Sequence, residues 1–202
     1  MTQVLVVDAA RPDPAVLGRA AEALRRGELV AFPTETFYGL GAAALDPVAV
    51  RRVFEVKGRP ESRPLLVLVD SEAMVEAVAA EVPPAARALM ARHWPGPLTL
   101  VLRARPVVPV EVHAGTGTIG VRLSPHPVAT GLVRALGAPL TAPSANLTGA
   151  PPPTEAEAVR RAFDGRIAVV LDAGPTAGGL PSTVLDVTVD PPRVIRAGAV
   201  RV

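Results

Sequence analysis

Lys57, Arg59 and Arg63 place three cations within seven residues, on a stretch interrupted by Gly58 and Pro60. Cations on a broken backbone suit a polyphosphate better than a solvated helix face, because ammonium and guanidinium groups can then converge on oxygens. A solvated basic loop is the competing reading. A second group is Thr141–Asn146, where a strand turns into a loop. There Ser144 and Asn146 can donate to phosphate oxygens or hold a hydrated Mg2+, or they form an Asx/ST turn that only reverses the chain. A third is the run Pro33–Gly41, with Thr34, Thr36 and Tyr38 beside glycines after an apolar stretch. It describes the wall of a small-molecule pocket, or an ordinary turn with a core tyrosine. Arg122, four residues after Thr118, is the lone charge between Ile119 and Leu123. A guanidinium amid apolar residues needs a partner, either a structural acid such as Glu111 or a substrate carboxylate. Ser182, Thr183 and Arg196 add polar groups near the C-terminus. A pocket with at least four cationic side chains, several hydroxyls and no candidate nucleophile would act by orienting anions.

Composition gives some of these residues more weight. The chain has twenty arginines and one lysine, one asparagine, one tyrosine and one tryptophan. A lone Lys57 among arginines points to a need for a compact ammonium, and a lone Asn146 to an amide-specific task. Tyr38, Lys57, Trp94 and Asn146 all fall in Gly/Pro/Ser/Thr-rich segments. Chance survival is the alternative for each.

The elements that must position these residues alternate along the chain. Strands are expected at 4–7, 29–32, 40–45, 65–69, 98–102, 119–123, 139–142, 167–171, 184–189 and 194–196. Helices are expected from Asp13-Pro14 to about Arg26, from Asp46-Pro47 to about Val56, over 71–80, from Pro83-Pro84 to before Pro95, over 127–136, and from a Thr154 cap to Phe163. This order predicts an α/β (α+β) fold with one large mixed sheet and flanking helices. Residues 1–202 read as a single domain. Pro151–Pro153 and Gly174–Pro181 are the loops expected to be mobile.

Several functional classes are excluded. With 49% hydrophobic residues and a mean hydropathy of +0.33 the chain is not disordered. No apolar run reaches the ~18 residues of a membrane span. No signal peptide is visible at Met1–Asp8, and there are no cysteines, so the expected compartment is the cytoplasm. A net charge of +2 does not argue for nucleic acid. Many prolines with scarce Asn, Gln and Cys fit heat adaptation or a GC-rich genome. Gly115–Gly120 matches G-x-G-x-x-G, but a strand follows it and no acid lies about 20 residues on, so a dinucleotide site is rejected. There is no Walker A loop and no G-x-S-x-G elbow. His93, His113 and His126 lack metal-ligand spacing.

Taken together, P-T-E-T-x-Y-G-L-G (33–41), K-x-R-P (57–60), W-P-G-P-L-T (94–99), T-I-G-V-R (118–122), A-P-S-A-N-x-T-G (142–149), S-T-V-L-D (182–186) and V-I-R-x-G (194–198) resemble the YrdC/TsaC family, in family order across nearly the whole chain. The resemblance implies a twisted, mostly open mixed sheet curved around a basic cavity. It implies synthesis of L-threonylcarbamoyladenylate from L-threonine, bicarbonate and Mg-ATP, for threonylcarbamoyladenosine in tRNA. By it, Thr34 and Tyr38 hold the threonine and Arg122 its carboxylate. Lys57, Arg59, Ser144 and Asn146 surround the phosphates and the carboxylated amine, with Lys57 and Arg59 catalytic. Thr118, Arg196, Ser182 and Thr183 touch the nucleotide. Arg63 falls where an ATP contact is often Asn, and Leu68 where some members carry a His near threonine. No metal ligand from protein side chains is implied. The implied partners are proteins that transfer threonylcarbamoyl to tRNA, with an RNA contact at the basic cavity and no membrane. The chain resembles the short form of the family. Competing readings are a YciO-like paralogue and a non-catalytic RNA- or nucleotide-binding module; the carbamoyl-transfer module of a hydrogenase-maturation protein shares the implied fold but belongs to a much longer chain.

Overall fold

The computed structural model describes all residues, 1–202. In chain order the elements are β1 (Gln3–Val6), α1 (Pro14–Arg25), β2 (Val30–Pro33), β3 (Tyr38–Gly41), α2 (Pro47–Lys57), β4 (Leu66–Leu68), α3 (Glu72–Val78), α4 (Pro84–His93), β5 (Leu98–Arg103), α5 (Val110–His113), β6 (Thr118–Arg122), α6 (Pro127–Leu136), β7 (Leu140–Thr141), α7 (Ala156–Phe163), β8 (Val169–Asp172), β9 (Thr183–Asp186) and β10 (Arg193–Arg196).

Local chemistry sets most of these boundaries. The Asp13 carboxylate accepts from Ala15 N and Pro14 opens α1. Asp46 accepts from Val48 N and Ala49 N at the start of α2, with Pro47 next. That helix stops at Gly58, whose φ of +59° is the left-handed conformation glycine adopts without a Cβ clash. Ser71 caps α3, and His126 caps α6 by accepting at Nδ1 from Val128 N.

The single large sheet expected from the element order is corrected to two. A four-stranded sheet runs β1-β8-β2-β3 and a six-stranded sheet runs β10-β9-β5-β6-β4-β7, both mixed. They meet at a broken seam between β3 and the segment around β7. Leu40 N donates to Pro143 O at 2.8 Å and Thr141 N to Ala42 O at 3.0 Å. Ala42 N, however, donates to the Thr141 hydroxyl at 2.8 Å, and that hydroxyl donates on to Leu40 O. A side chain inserted in the ladder breaks its continuity.

Three smaller expectations also change. The strand placed at 40–45 is β3 at 38–41, with Ala43 only in an isolated bridge to Leu140. Thr154 does not cap α7; Glu155 stands at the N-cap without a side-chain bond, and the Thr154 carbonyl accepts from Thr176 N at 2.8 Å. The short α5 has no counterpart in the expected elements. The two loops expected to be mobile are both bonded to the segment leading into β3: Tyr38 N donates to Pro153 O, and Gly178 N to Thr36 O.

The six-stranded sheet has two unlike faces. Leu98, Leu100, Leu102, Ile119, Val121 and Leu185 point into the larger core, against Val53 and Phe54 of α2 and Val75 of α3. Thr99, Val101, Thr118, Gly120 and Arg122 alternate to the other face, where Val101, Thr118 and Gly120 are partly open. A second core lies between α1, α6 and β2, through Leu17, Leu24, Leu132, Val133 and Phe32. No helix is long and apolar enough to cross a membrane.

Candidate functional site

Lys57 ends α2 and is 3% exposed. Its ammonium donates to Ser144 O at 2.5 Å and Asn146 O at 2.6 Å, while its own carbonyl accepts from Thr148 N at 2.9 Å. The helix end and the 142–149 loop are thereby stitched together. The same loop lies on β3, through Ala145 N donating to Tyr38 O at 2.8 Å and a bridge between Gly39 and Ser144. Asn146 Nδ2 donates to Leu147 O and Ala150 O, which leaves Oδ1 buried without a partner. Arg59 folds back on its own loop, donating from Nη2 to Pro64 O at 2.9 Å and from Nε to Arg63 O at 3.4 Å.

Arg122 ends β6 and is 5% exposed. Its Nη1 is ion-paired with Oε1 of Glu35, whose Oε2 accepts from the Ser124 hydroxyl at 2.7 Å. The structural acid of Arg122 is therefore Glu35 and not Glu111, which is bonded to Arg51 on the α2–α5 side of the fold. Arg122 Nε is buried and unpartnered. Beside this group, Arg196 donates to Ser182 O at 2.7 Å and to the Ser182 hydroxyl at 3.1 Å, and that hydroxyl is 2.9 Å from Thr99 Oγ1.

Thr34 and Tyr38 shape the turn that links the two groups. The Thr34 hydroxyl donates to Phe37 O at 2.7 Å, closing the turn with Glu35 near its tip. The Tyr38 hydroxyl donates to Gly174 O at 2.7 Å, and the side chain is fully buried. One turn thus touches Arg122 through Glu35 and the Lys57 loop through Tyr38.

Not every residue expected at the site gathers there. Thr183 shares the core-facing side of β9 with Leu185, and its hydroxyl donates to Val200 O at 2.6 Å. Its neighbour Ser182 joins Arg196 and Thr99. Thr118 starts β6, ~13 Å from Arg122 at the usual strand rise. The parallel register of Leu66 beside Gly120 brings it level with the end of the basic loop. Glu35, Ser124 and Thr99 received no role from the sequence. The available signal for Glu35 was a carboxylate flanked by two hydroxyl residues in an otherwise apolar stretch.

The electrostatics are those of cations short of anions. Burial, followed by the charge of Arg59, lowers the Lys57 ammonium to about 8. Arg59 is lowered by burial and by Arg63. Arg122 is lowered by burial, which Glu35 only partly offsets. Arg196 is lowered by burial and by Arg122. A bound anion would relieve each of these penalties. Burial holds the Tyr38 phenol protonated, at about 12. No cluster of acids or histidines could hold a metal ion. A cleft of about 400 Å3 beside Pro83 and Pro84 and another of about 580 Å3 beside Met1 contain none of these residues.

Comparison with known proteins matches the Sua5/YciO/YrdC family model, described as telomere recombination, over residues 22–198. The chain is 48% identical over 179 residues to a threonylcarbamoyl-AMP synthase of Pyrococcus abyssi, covering 89% of this chain and 53% of the relative. It is 46% identical over 189 residues to a Bacillus subtilis protein of the same name, covering 93% and 54%. The chain spans about half the length of these curated relatives. The crystal structure of P. abyssi Sua5 complexed with L-threonine superposes with a TM-score of 0.94 at 45% identity, covering 98% of this chain and 58% of that one.

Proposed function

From the premise that the chain belongs to the Sua5/YciO/YrdC family, we propose that it makes L-threonylcarbamoyladenylate and pyrophosphate from L-threonine, bicarbonate and ATP. The observation that carries this reading is a buried, under-compensated guanidinium at Arg122 and a buried ammonium at Lys57, each tied to the 34–38 segment, one through Glu35 and the other through the loop that bonds Tyr38.

In this reading Arg122 receives the threonine carboxylate, and Thr34 and Tyr38 hold the threonine by fixing the turn around it. The threonine amine adds to bicarbonate with loss of water. A carbamate oxygen then attacks the α-phosphorus and expels pyrophosphate. Lys57, Arg59, Arg63, Ser144 and Asn146 surround the phosphates and the carbamate, stabilising charge that develops as the bond to pyrophosphate breaks. Arg196, Ser182 and Thr118 hold the nucleotide, and Thr183 supports them by tying Val200 to β9. The reaction draws on position and charge, with no covalent enzyme intermediate.

Mg2+ would enter with the triphosphate. The residues fit that route: the site offers cations, a hydroxyl and an amide in place of carboxylates, and the orphaned Asn146 Oδ1 can accept from a metal-bound water. Bound Mg2+ neutralises phosphate charge. Proteins that transfer the product to tRNA are the partners this chemistry calls for, and the cytoplasm is its compartment. An RNA contact at the same cations belongs to the same reading.

Pyrophosphate release by purified protein with ATP and Mg2+ is expected only when threonine and bicarbonate are both present. Threonine-independent ATP hydrolysis at the same rate would overturn the assignment.

A further inference from the structure

Glu35 stands in an unusual relation to Arg122. A guanidinium has five N–H donors in a fixed fork, yet in this buried Arg122 only Nη1 meets a protein acceptor, one oxygen of Glu35. Nε is buried with no partner, although the side chain is about nineteen-twentieths buried. A bidentate pair would satisfy two donors at once. Glu35 does not form one: a single oxygen meets Arg122, and the other accepts from the Ser124 hydroxyl at 2.7 Å. The pairing is monodentate and leaves the guanidinium ready for a better acceptor.

The local charges give the same indication. Arg122 and Arg196 feel each other's charge. Glu35 is the acid in contact with Arg122, and burial keeps the nearby His126 below its ordinary range. Two guanidiniums against one carboxylate leave room for one further negative charge. A carboxylate that takes Arg122 brings its own α-substituent beside the acid already touching that guanidinium. If the substituent is an ammonium, Glu35 has a new counter-ion. If it is hydrogen or a hydroxyl, the Glu35 charge is left under-compensated in a partly buried place.

We propose that Glu35 is a specificity-determining residue: it neutralises Arg122 while the site is empty, and it pairs with the α-ammonium of the ligand once the ligand's carboxylate lies on Arg122, so that the site selects α-amino acids over plain carboxylic acids. This rests on the reading of Arg122 as the carboxylate receptor. It adds to that reading the group that recognises the other end of the zwitterion.

Calorimetric titration of the intact protein, with and without ATP, tests it. The probes are L-threonine and 3-hydroxybutyrate, which is threonine without its amino group. The wild type is expected to prefer threonine by about tenfold or more, as for loss of one charge-assisted hydrogen bond. Glu35→Gln keeps the shape and one acceptor oxygen for Arg122, while its amide N–H can donate to the Ser124 hydroxyl, and a circular dichroism melt checks its fold. In it the preference is expected to fall towards unity through weaker threonine binding, with ATP affinity unchanged. Retention of the wild-type preference in Glu35→Gln, while Arg122→Lys loses threonine binding, overturns the role of Glu35 alone. Unchanged threonine affinity in a folded Arg122→Lys overturns the carboxylate receptor and this inference with it.

Discussion

Lys57 is held by two demands that oppose each other. Two loop carbonyls at 2.5 and 2.6 Å favour its charged form, while burial and Arg59 favour the neutral one, and the balance lies at about 8. The sign for stability follows from proton counting. Between about 8 and the ordinary lysine value of 10.5 the unfolded chain binds the proton that the native chain has released. Native stability therefore rises with pH across that window, and below it the full penalty of burying the charge is present. Denaturant melts from pH 7.5 to 10.5 are expected to show this rise in the wild type and to lack it in Lys57→Met. A site that uses the ammonium as a cation is expected to lose ATP affinity as pH rises through about 8. Lys57→Arg keeps the charge, but its planar fork does not fit between two carbonyls that converge on a single nitrogen. Pyrophosphate release should fall as for loss of one transition-state contact, about 2–4 kcal/mol. Wild-type turnover in Lys57→Arg would show that the lone lysine is a compositional accident.

At the scale of elements, β10 and the residues after it carry Arg196 to the site, and a close approach of backbones holds them there. Ala199 N donates to Pro181 O at 3.0 Å. A Cβ on Gly198 would stand 2.3 Å from Pro181 O and 2.6 Å from Thr183 N. Both are backbone atoms that no side-chain rotation can move aside. Gly198→Ala must therefore push the C-terminal segment off residues 181–183 and pull Arg196 away from Ser182. The expected result is weaker ATP binding by calorimetry and a lower melting temperature, with threonine binding at Arg122 less affected. Gly137→Ala makes a useful contrast, because it is strained by φ of +73° but meets no atom within 4 Å. It should lower stability without touching ATP affinity.

At the scale of the whole molecule, two cores and two sheets raise the question of whether the chain unfolds as one body. Strand β2 belongs to both cores, with Ala31 facing the larger and Val30 and Phe32 the smaller. Met74 packs against both. The site is also shared, since Glu35 follows the four-stranded sheet's β2 while Arg122 ends a strand of the six-stranded one. A single cooperative transition is therefore expected. Trp94, which packs on the larger core and donates to Leu98 O at 2.7 Å, reports that core by fluorescence. Its denaturation curve should coincide with far-UV circular dichroism; a separate circular dichroism phase would mean that residues 1–202 hold two folding units.

The sequence by itself determined what depends on near neighbours. Asp-Pro pairs at 13–14 and 46–47, and Gly58 and Gly137 beyond the last turns, are local stereochemistry, so α1, α2 and α6 were legible to within a residue or so. The cations of the K-x-R run, the glycines of the 33–41 turn and the need of Arg122 for a partner were legible for the same reason. The identity of that partner was not. Glu35 lies 87 residues from Arg122, and the carbonyls that Lys57 meets lie 87 and 89 residues from it. Adjacent Ser182 and Thr183 differ in fate because successive side chains point to opposite sides where the chain enters β9, one to Arg196 and one to the core. Which face is open, which strands adjoin and where the ladder breaks at Thr141 are set by register and packing between distant segments. Only the tertiary structure could decide them, because a residue type states what a side chain needs and the fold decides which group comes within reach.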